Sequence, residues 1–198
     1  MTIPLDPGMG GRSVDEQALQ IGDVIVSTTP ALISRVIRKA TGSVVSHAIA
    51  YIGGGQVVEA IADGVVLRSL RQALMEATLA AAYRKPGLGL AQGLQIRDFL
   101  GQQLGKPYDY SGIVGQAGFQ LDRRVLCVEG TIDCVRRVGN NNMRLQRFDK
   151  FFCSELVAAA YRRAGVPLTP EPPSWVSPDD IAKMRLSGNL EYVGHLCV

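Results

Sequence analysis

The spacing of apolar and polar residues changes several times along the chain, and each change marks an element. "GDVIVS", residues 22–27, is a short β-rich run. "TTPALISRVIRKATG" then reads as a helix, with Thr29 as cap, Pro30 in its first turn and Gly42 past its end. Leu32, Ile33, Val36, Ile37 and Ala40 form its apolar stripe, while Arg35, Arg38 and Lys39 face water. "SHAIAYIGGGQVVEAIADGVVLRSL" predicts a run of strands, with a Gly-Gly-Gly turn in the first hairpin and Asp63-Gly64 opening the next turn. "SLRQALMEA" predicts a short helix, "TLAAAYRKP" a strand ended by Pro86, and "LAQGLQIRDFLGQQLG" a helix weakened by its glycines.

"KPYDYSG" reads as a loop. Residues 112–147 show helical patches and a polar "GNNN" turn, and 121–147 reads as an insertion. "FFCSELVAAAYRRAG", residues 151–165, carries apolar positions at helical spacing and closes on Gly165. After a Pro-rich connection, Ser177 caps a last helix starting at Pro178, and "LEYVGHLCV" predicts a closing strand. Near the start, Ser13 and Glu16 have capping-box spacing, so residues 1–20 read as a Gly- and Pro-rich tail with a short helix. Residues 21–198 then form a single domain.

Composition narrows the function classes. The chain has 198 residues, 46% hydrophobic and 20% charged, enough for one domain with a real core. A net charge of +3 is too weak to argue for nucleic acid as a partner. No apolar run reaches the ~20 residues of a membrane span. The first residues lack a basic region followed by an apolar one, so no signal peptide is expected and the reading is cytoplasmic. Export by a signal-independent secretion system is the alternative, and would bring an immunity or delivery partner. Cys127, Cys134, Cys153 and Cys197 lack paired-ligand spacing for zinc; a disulfide between Cys127 and Cys134 stays open, and free thiols are the expectation without a signal peptide.

Cys153 falls in the first turn of its helix, where unpaired N–H groups and the positive end of the macrodipole favour thiolate. Position alone leaves it open between a nucleophile and a small buried residue. A thiol nucleophile needs an imidazole, and only His47 and His195 exist. His195 sits near the chain end, where packing is the better reading. His47 opens a strand. With the turn at Gly53–Gly55, position 49 lies opposite 59, so His47 and Glu59 are diagonal neighbours on one face. Glu59 then points inward and needs a partner such as an imidazole N–H. A one-residue slip would instead turn Glu59 outward and Val58 inward.

"GDVIV", "SHAIAYIGGGQVVEAI", "GKPYDY" and "FFCSELVAAAYRRAGV", in that order, resemble the circularly permuted branch of the NlpC/P60 superfamily, of the YiiX/YaeF type. The likeness spans residues 21–185. His47 precedes Cys153, as the permuted order requires. The resemblance implies an α+β papain-like fold, a curved antiparallel sheet with the Cys helix packed on it. It implies Cys153 as nucleophile, His47 as base and acid, and Glu59 as the group orienting His47. It also implies a tyrosine lining the site, for which Tyr108 and Tyr110 both qualify.

The expected reaction is cleavage of an amide, of peptidoglycan-type peptides or related compounds, through a thioester, with no metal and no cofactor. Two alternatives stay open. One is a lipid-directed acyltransferase or phospholipase of the lecithin:retinol acyltransferase type, with lipid acyl substrates. The other is a non-catalytic binding module on the same fold.

Overall fold

The computed structural model describes residues 11–29, 43–127, 132–142 and 149–197. Its described strands form one seven-stranded sheet. They are β1 (Ser13–Val14), β2 (Val24–Thr28), β3 (His47–Gly53), β4 (Gln56–Ile61), β5 (Gly64–Ser69), β6 (Leu79–Arg84) and β7 (Glu191–Leu196). Their order is β1-β7-β6-β2-β3-β4-β5. The described helices are α1 (Leu70–Leu74), α2 (Leu90–Gln102), α3 (Tyr110–Leu126), α4 (Ile132–Asn142), α5 (Cys153–Arg163) and α6 (Pro178–Lys183). This is an α+β architecture. The expected all-antiparallel sheet is corrected at one edge, where β1 runs parallel to β7.

The reason lies in residues 11–19. Ser13 does not cap a helix. It pairs with His195, and the His195 N–H donates to the Arg12 carbonyl at 2.7 Å. The edge of β7 offers unpaired backbone groups, and a two-residue strand satisfies some of them. Asp15 takes the capping role instead, accepting from the Gln17 N–H at 3.0 Å ahead of a 3-10 turn over Glu16–Ala18.

The hairpin has the register read from the sequence. Gly53, Gly54 and Gly55 take φ of 94°, 60° and 71°, a region that side chains rarely adopt. Ala50 pairs with Val58, which sets Ile49 against Glu59. The β3–β4 ladder starts at Ala50, whereas residues 47–49 pair with β2, so the two strands part at the His47 end.

Both faces of β4 are covered, so the choice between an inward Glu59 and an inward Val58 was a false one. Val58 and Ala60 belong to a core with Leu156 and Val157 of α5 and Ile96 and Leu100 of α2. Val57 packs on the other face with Ile49, Leu70, Leu74 and Leu19. Val58 and Glu59 are each 1% exposed.

Helix α5 runs through the first core, and every residue from Cys153 to Tyr161 is buried. Ala158, Ala159 and Ala160 keep its middle thin where it meets neighbours on several sides. Tyr161 donates its hydroxyl to the Gly22 carbonyl, and Ser154 donates to Val176 O at 2.7 Å. Gly165, at φ 74°, ends the helix as expected.

Residues 112–147 differ most from expectation. The "KPYDYSG" loop ends early: α3 begins at Tyr110, capped by Asp109, whose side chain accepts the Gly112 N–H at 2.8 Å. A Cβ at Gly112 would lie 2.5 Å from Asp109 Oδ2, so glycine is what the cap requires. The "GNNN" stretch is helical, not a turn. A Cβ at Gly139 would meet the Trp175 ring at 2.3 Å, and its absence lets Trp175 reach Phe119, Val138 and Cys127. The Cys127 and Cys134 thiols are not free. They form a disulfide, because α4 returns against the end of α3 and brings their Cα atoms to 5.7 Å. The helix expected at 30–40 and the tail at 1–10 lie outside the described residues, as do 128–131 and 143–147 of the expected insertion.

Candidate active site

Cys153 is the first residue of α5, and Phe152 is the N-cap. The groups that act on its sulfur are the His47 ring and the backbone N–H groups of Ala48 and Ser154. Ala48 lies where β3 and β4 separate, outside the β3–β4 ladder. Burial pushes the thiol up. The His47 charge, its hydrogen bond and the two backbone N–H groups outweigh this and hold Cys153 below the ordinary thiol range.

His47, the first residue of β3, has a side chain 15% exposed. Its Nε2 lies 2.6 Å from Glu59 Oε2, which leaves Nδ1 as the nitrogen available to Cys153. Burial alone would lower the imidazole. The Cys153 charge, the hydrogen bonds to Cys153 and Glu59 and the Glu59 charge reverse that, raising His47 to about 10. Glu59 is pushed up by burial, but His47 and Arg68 hold it below its ordinary range. These directions favour a thiolate beside an imidazolium that is backed by a carboxylate.

The two tyrosines separate. Tyr108 is buried, and its phenol is held above the usual range by burial and by the Cys153 charge. Tyr110 is 51% exposed, packs edge-on against Tyr108 at 4.9 Å and donates to the Ala62 carbonyl at 3.5 Å. A cleft of about 710 Å³ is lined by His47, Glu59, Tyr108, Arg68, Asp63 and Glu76, among others. A second cavity of about 330 Å³, at Phe119, Trp175 and Asp180, contains none of the groups around Cys153.

The remaining candidates stand elsewhere. His195 is buried in β7, three strands from β3, with its Nδ1 against the Tyr192 hydroxyl. Cys197 is exposed, and Cys127 and Cys134 belong to the α3–α4 pair. Asp109 caps α3 and pairs with Lys150 at 2.8 Å.

Sequence reading missed Arg68, which donates to Glu59 Oε1 at 3.1 Å. The Asp63-Gly64 turn held the signal. It sets Val57 against Arg68, on the same face as Glu59.

Glu155 was also missed. It is 3% exposed in the first turn of α5. Burial pushes its carboxyl to about 8, opposed by a hydrogen bond from the Phe152 N–H, raised further by Asp109 and lowered by Lys150. Its Oε2 has no hydrogen-bond partner among the described residues. Folded protein then keeps a proton that unfolded chain releases at its ordinary carboxyl value, so stability falls as pH rises from about 4.5 to about 8. Glu155→Gln keeps the acceptor for Phe152 and removes that slope. Thermal melts should show the variant roughly 10 °C above the parent at pH 8 and level with it near pH 4.5. An equal loss of Tm at every pH would contradict this account of Glu155.

No protein-family model matches the chain. A protein of Escherichia coli strain K12, named probable lipoprotein peptidase YaeF, is 31% identical over 206 positions, covering 93% of this chain and 73% of the relative. The chain belongs to the YiiX/YaeF-like family. The fold agrees with that of a solved Escherichia coli O157:H7 protein of this family, described as the metalloprotein yiiX. The likeness has a TM-score of 0.52 and 22% identity, covering 75% of this chain and 68% of the other. The word metalloprotein belongs to that relative. In this chain no group of three or more His, Cys, Asp or Glu among the described residues could hold a metal ion.

Proposed function

We propose that this member of the YiiX/YaeF-like family is a cysteine hydrolase of the circularly permuted NlpC/P60 kind, cleaving an amide bond in a peptide. One observation carries the reading. The thiol at the leading end of α5 and the His47 imidazole interact closely enough to shift each other's titration, and the imidazole Nε2 is 2.6 Å from a buried carboxylate. The relative's name, probable lipoprotein peptidase, supports a peptide substrate.

The Cys153 thiolate attacks the scissile carbonyl, which enters through the cleft lined by His47 and Tyr108. The carbonyl oxygen becomes an oxyanion beside the Cys153 N–H at the helix N-terminus. Protonated His47 gives its proton to the departing amine as the C–N bond breaks, leaving a thioester on Cys153. Neutral His47 then takes a proton from water as water attacks the thioester. The acid departs, and sulfur leaves as thiolate beside imidazolium once more. Glu59 holds the ring orientation throughout and stabilises its charged form.

Peptidoglycan-type peptides are the proposed substrates. Intact-protein mass spectrometry of acid-quenched reactions with bacterial wall peptides should reveal an acyl adduct, mapped by digestion to Cys153. Peptide hydrolysis that persists after Cys153 is fully alkylated would refute the proposal.

A further inference from the structure

The buried Glu59 divides its two oxygens between two partners. Oε2 faces His47 Nε2 at 2.6 Å, and Oε1 accepts from Arg68 Nη1 at 3.1 Å. Arg68 is the diagonal neighbour of Glu59 across the β4–β5 ladder, since Val57 pairs with Arg68 and Glu59 with Val66. The other arm of the guanidinium is fixed as well, with Nη2 donating to the Gln72 carbonyl of α1 at 2.9 Å. The fork therefore ties the carboxylate to the end of a helix capped by Ser69 and Gln72.

We infer that Arg68 is a positioning residue for Cys153, His47 and Glu59, keeping the buried carboxylate ionised and turning a single oxygen onto His47. This inference rests on the proposed thiol mechanism. A carboxylate offers two equivalent oxygens, and the bond to Oε1 removes that equivalence at the ring. Charge gives the second half of the argument. Thiolate, imidazolium, carboxylate and guanidinium alternate in sign and sum to zero. Without Arg68 the buried set carries one excess negative charge, and adding a proton relieves it.

The groups facing this set are His47 from β3, Arg68 from β5, Tyr108 ahead of α3, and Asp63 and Glu76 on the cleft wall. Glu155 of α5 is directed to the Phe152 N–H instead. Among the described residues, Arg68 is thus the cation that touches Glu59 from outside the thiol–imidazole pair. Its side chain is 32% exposed, so solvent moderates its effect.

The test is the rate of alkylation of Cys153 by iodoacetamide between pH 4 and 10, read at that residue by mass spectrometry. Wild type should reach half its maximal rate below the ordinary thiol range. Arg68→Gln should move that midpoint up by about one unit, slowing alkylation roughly tenfold on the acid side. Arg68→Lys restores charge without the two-armed fork and should recover part of the shift. In a Glu59→Gln background, Arg68→Gln should add nothing further.

An unmoved midpoint in Arg68→Gln, or an equal shift with and without Glu59, would overturn the inference. If Arg68→Gln loses its cooperative melt, Arg68→Met carries the same expectation with its packing stem retained. The two readings fail separately. A wild-type midpoint in the ordinary thiol range refutes the thiol mechanism itself. A depressed wild-type midpoint that ignores Arg68 refutes the role of Arg68 alone.

Discussion

Replacing Cys153 by alanine is expected to lower hydrolysis of a wall peptide by on the order of a millionfold and to leave the protein folded. The loss is this large because the nucleophile and its base act as one unit, so neither retains much rate alone. The fold survives for a separate reason. Helix α5 is held by the packing of Leu156 and Val157 and by the Tyr161 hydroxyl bond to Gly22, all of which the substitution leaves in place. The change from thiol to methyl alters little volume. Peptide release assayed by chromatography, beside circular dichroism and gel filtration, checks both halves. Turnover preserved in a folded Cys153→Ala protein would exclude thiol chemistry. The other three cysteines should be silent in such an assay, because Cys127 and Cys134 join α3 to α4 and Cys197 is exposed beyond β7.

His47→Ala should cost nearly as much, on the order of 10⁵-fold or more, whereas Glu59→Gln should cost roughly a hundredfold less. His47 carries protons to and from the reacting atoms, and the other imidazole among the described residues, His195, lies three strands away. Removing it also strips the cation from a buried sulfur, so the thiol climbs back and alkylation of Cys153 at pH 7 should slow in parallel. Glu59 acts at one remove. A glutamine there still offers Nε2 an acceptor oxygen, but loses the charge that favours imidazolium. Initial rates for the three proteins at one pH give the ranking. A Glu59→Gln enzyme with wild-type rate would move the orienting role to another group.

The positions of His47, Glu59 and Cys153 were legible because short-range rules placed them. Three consecutive glycines fix a turn, a turn fixes a register, and the register sets His47 and Glu59 side by side. The helix with Cys153 at its head follows from apolar spacing and from Gly165. What was missed depended on contacts between distant parts of the chain. Ser13 looks like a cap until β7 arrives beside it, and only then does pairing win over capping. Gly139 looks like a turn residue until Trp175 fills the space that a Cβ would take. For Cys127 and Cys134 a disulfide stayed open, and the preference for free thiols rested on compartment, an argument silent about two helices folding back on each other. Arg68 was within reach, because extending the same register argument by one strand leads to it.

The central claim is that Cys153 and His47 exist as an ion pair near neutral pH. The most direct measurement is the ¹⁵N chemical shifts of the His47 ring from pH 5 to 11, with His195 assigned by its own substitution. The account predicts a doubly protonated His47 ring at pH 7 to 8 that releases its proton only near pH 10, and a large downward shift of that titration in Cys153→Ala. A His47 ring that is neutral at pH 7.5 in the wild-type protein, titrating near the ordinary histidine value and indifferent to Cys153→Ala, would contradict it.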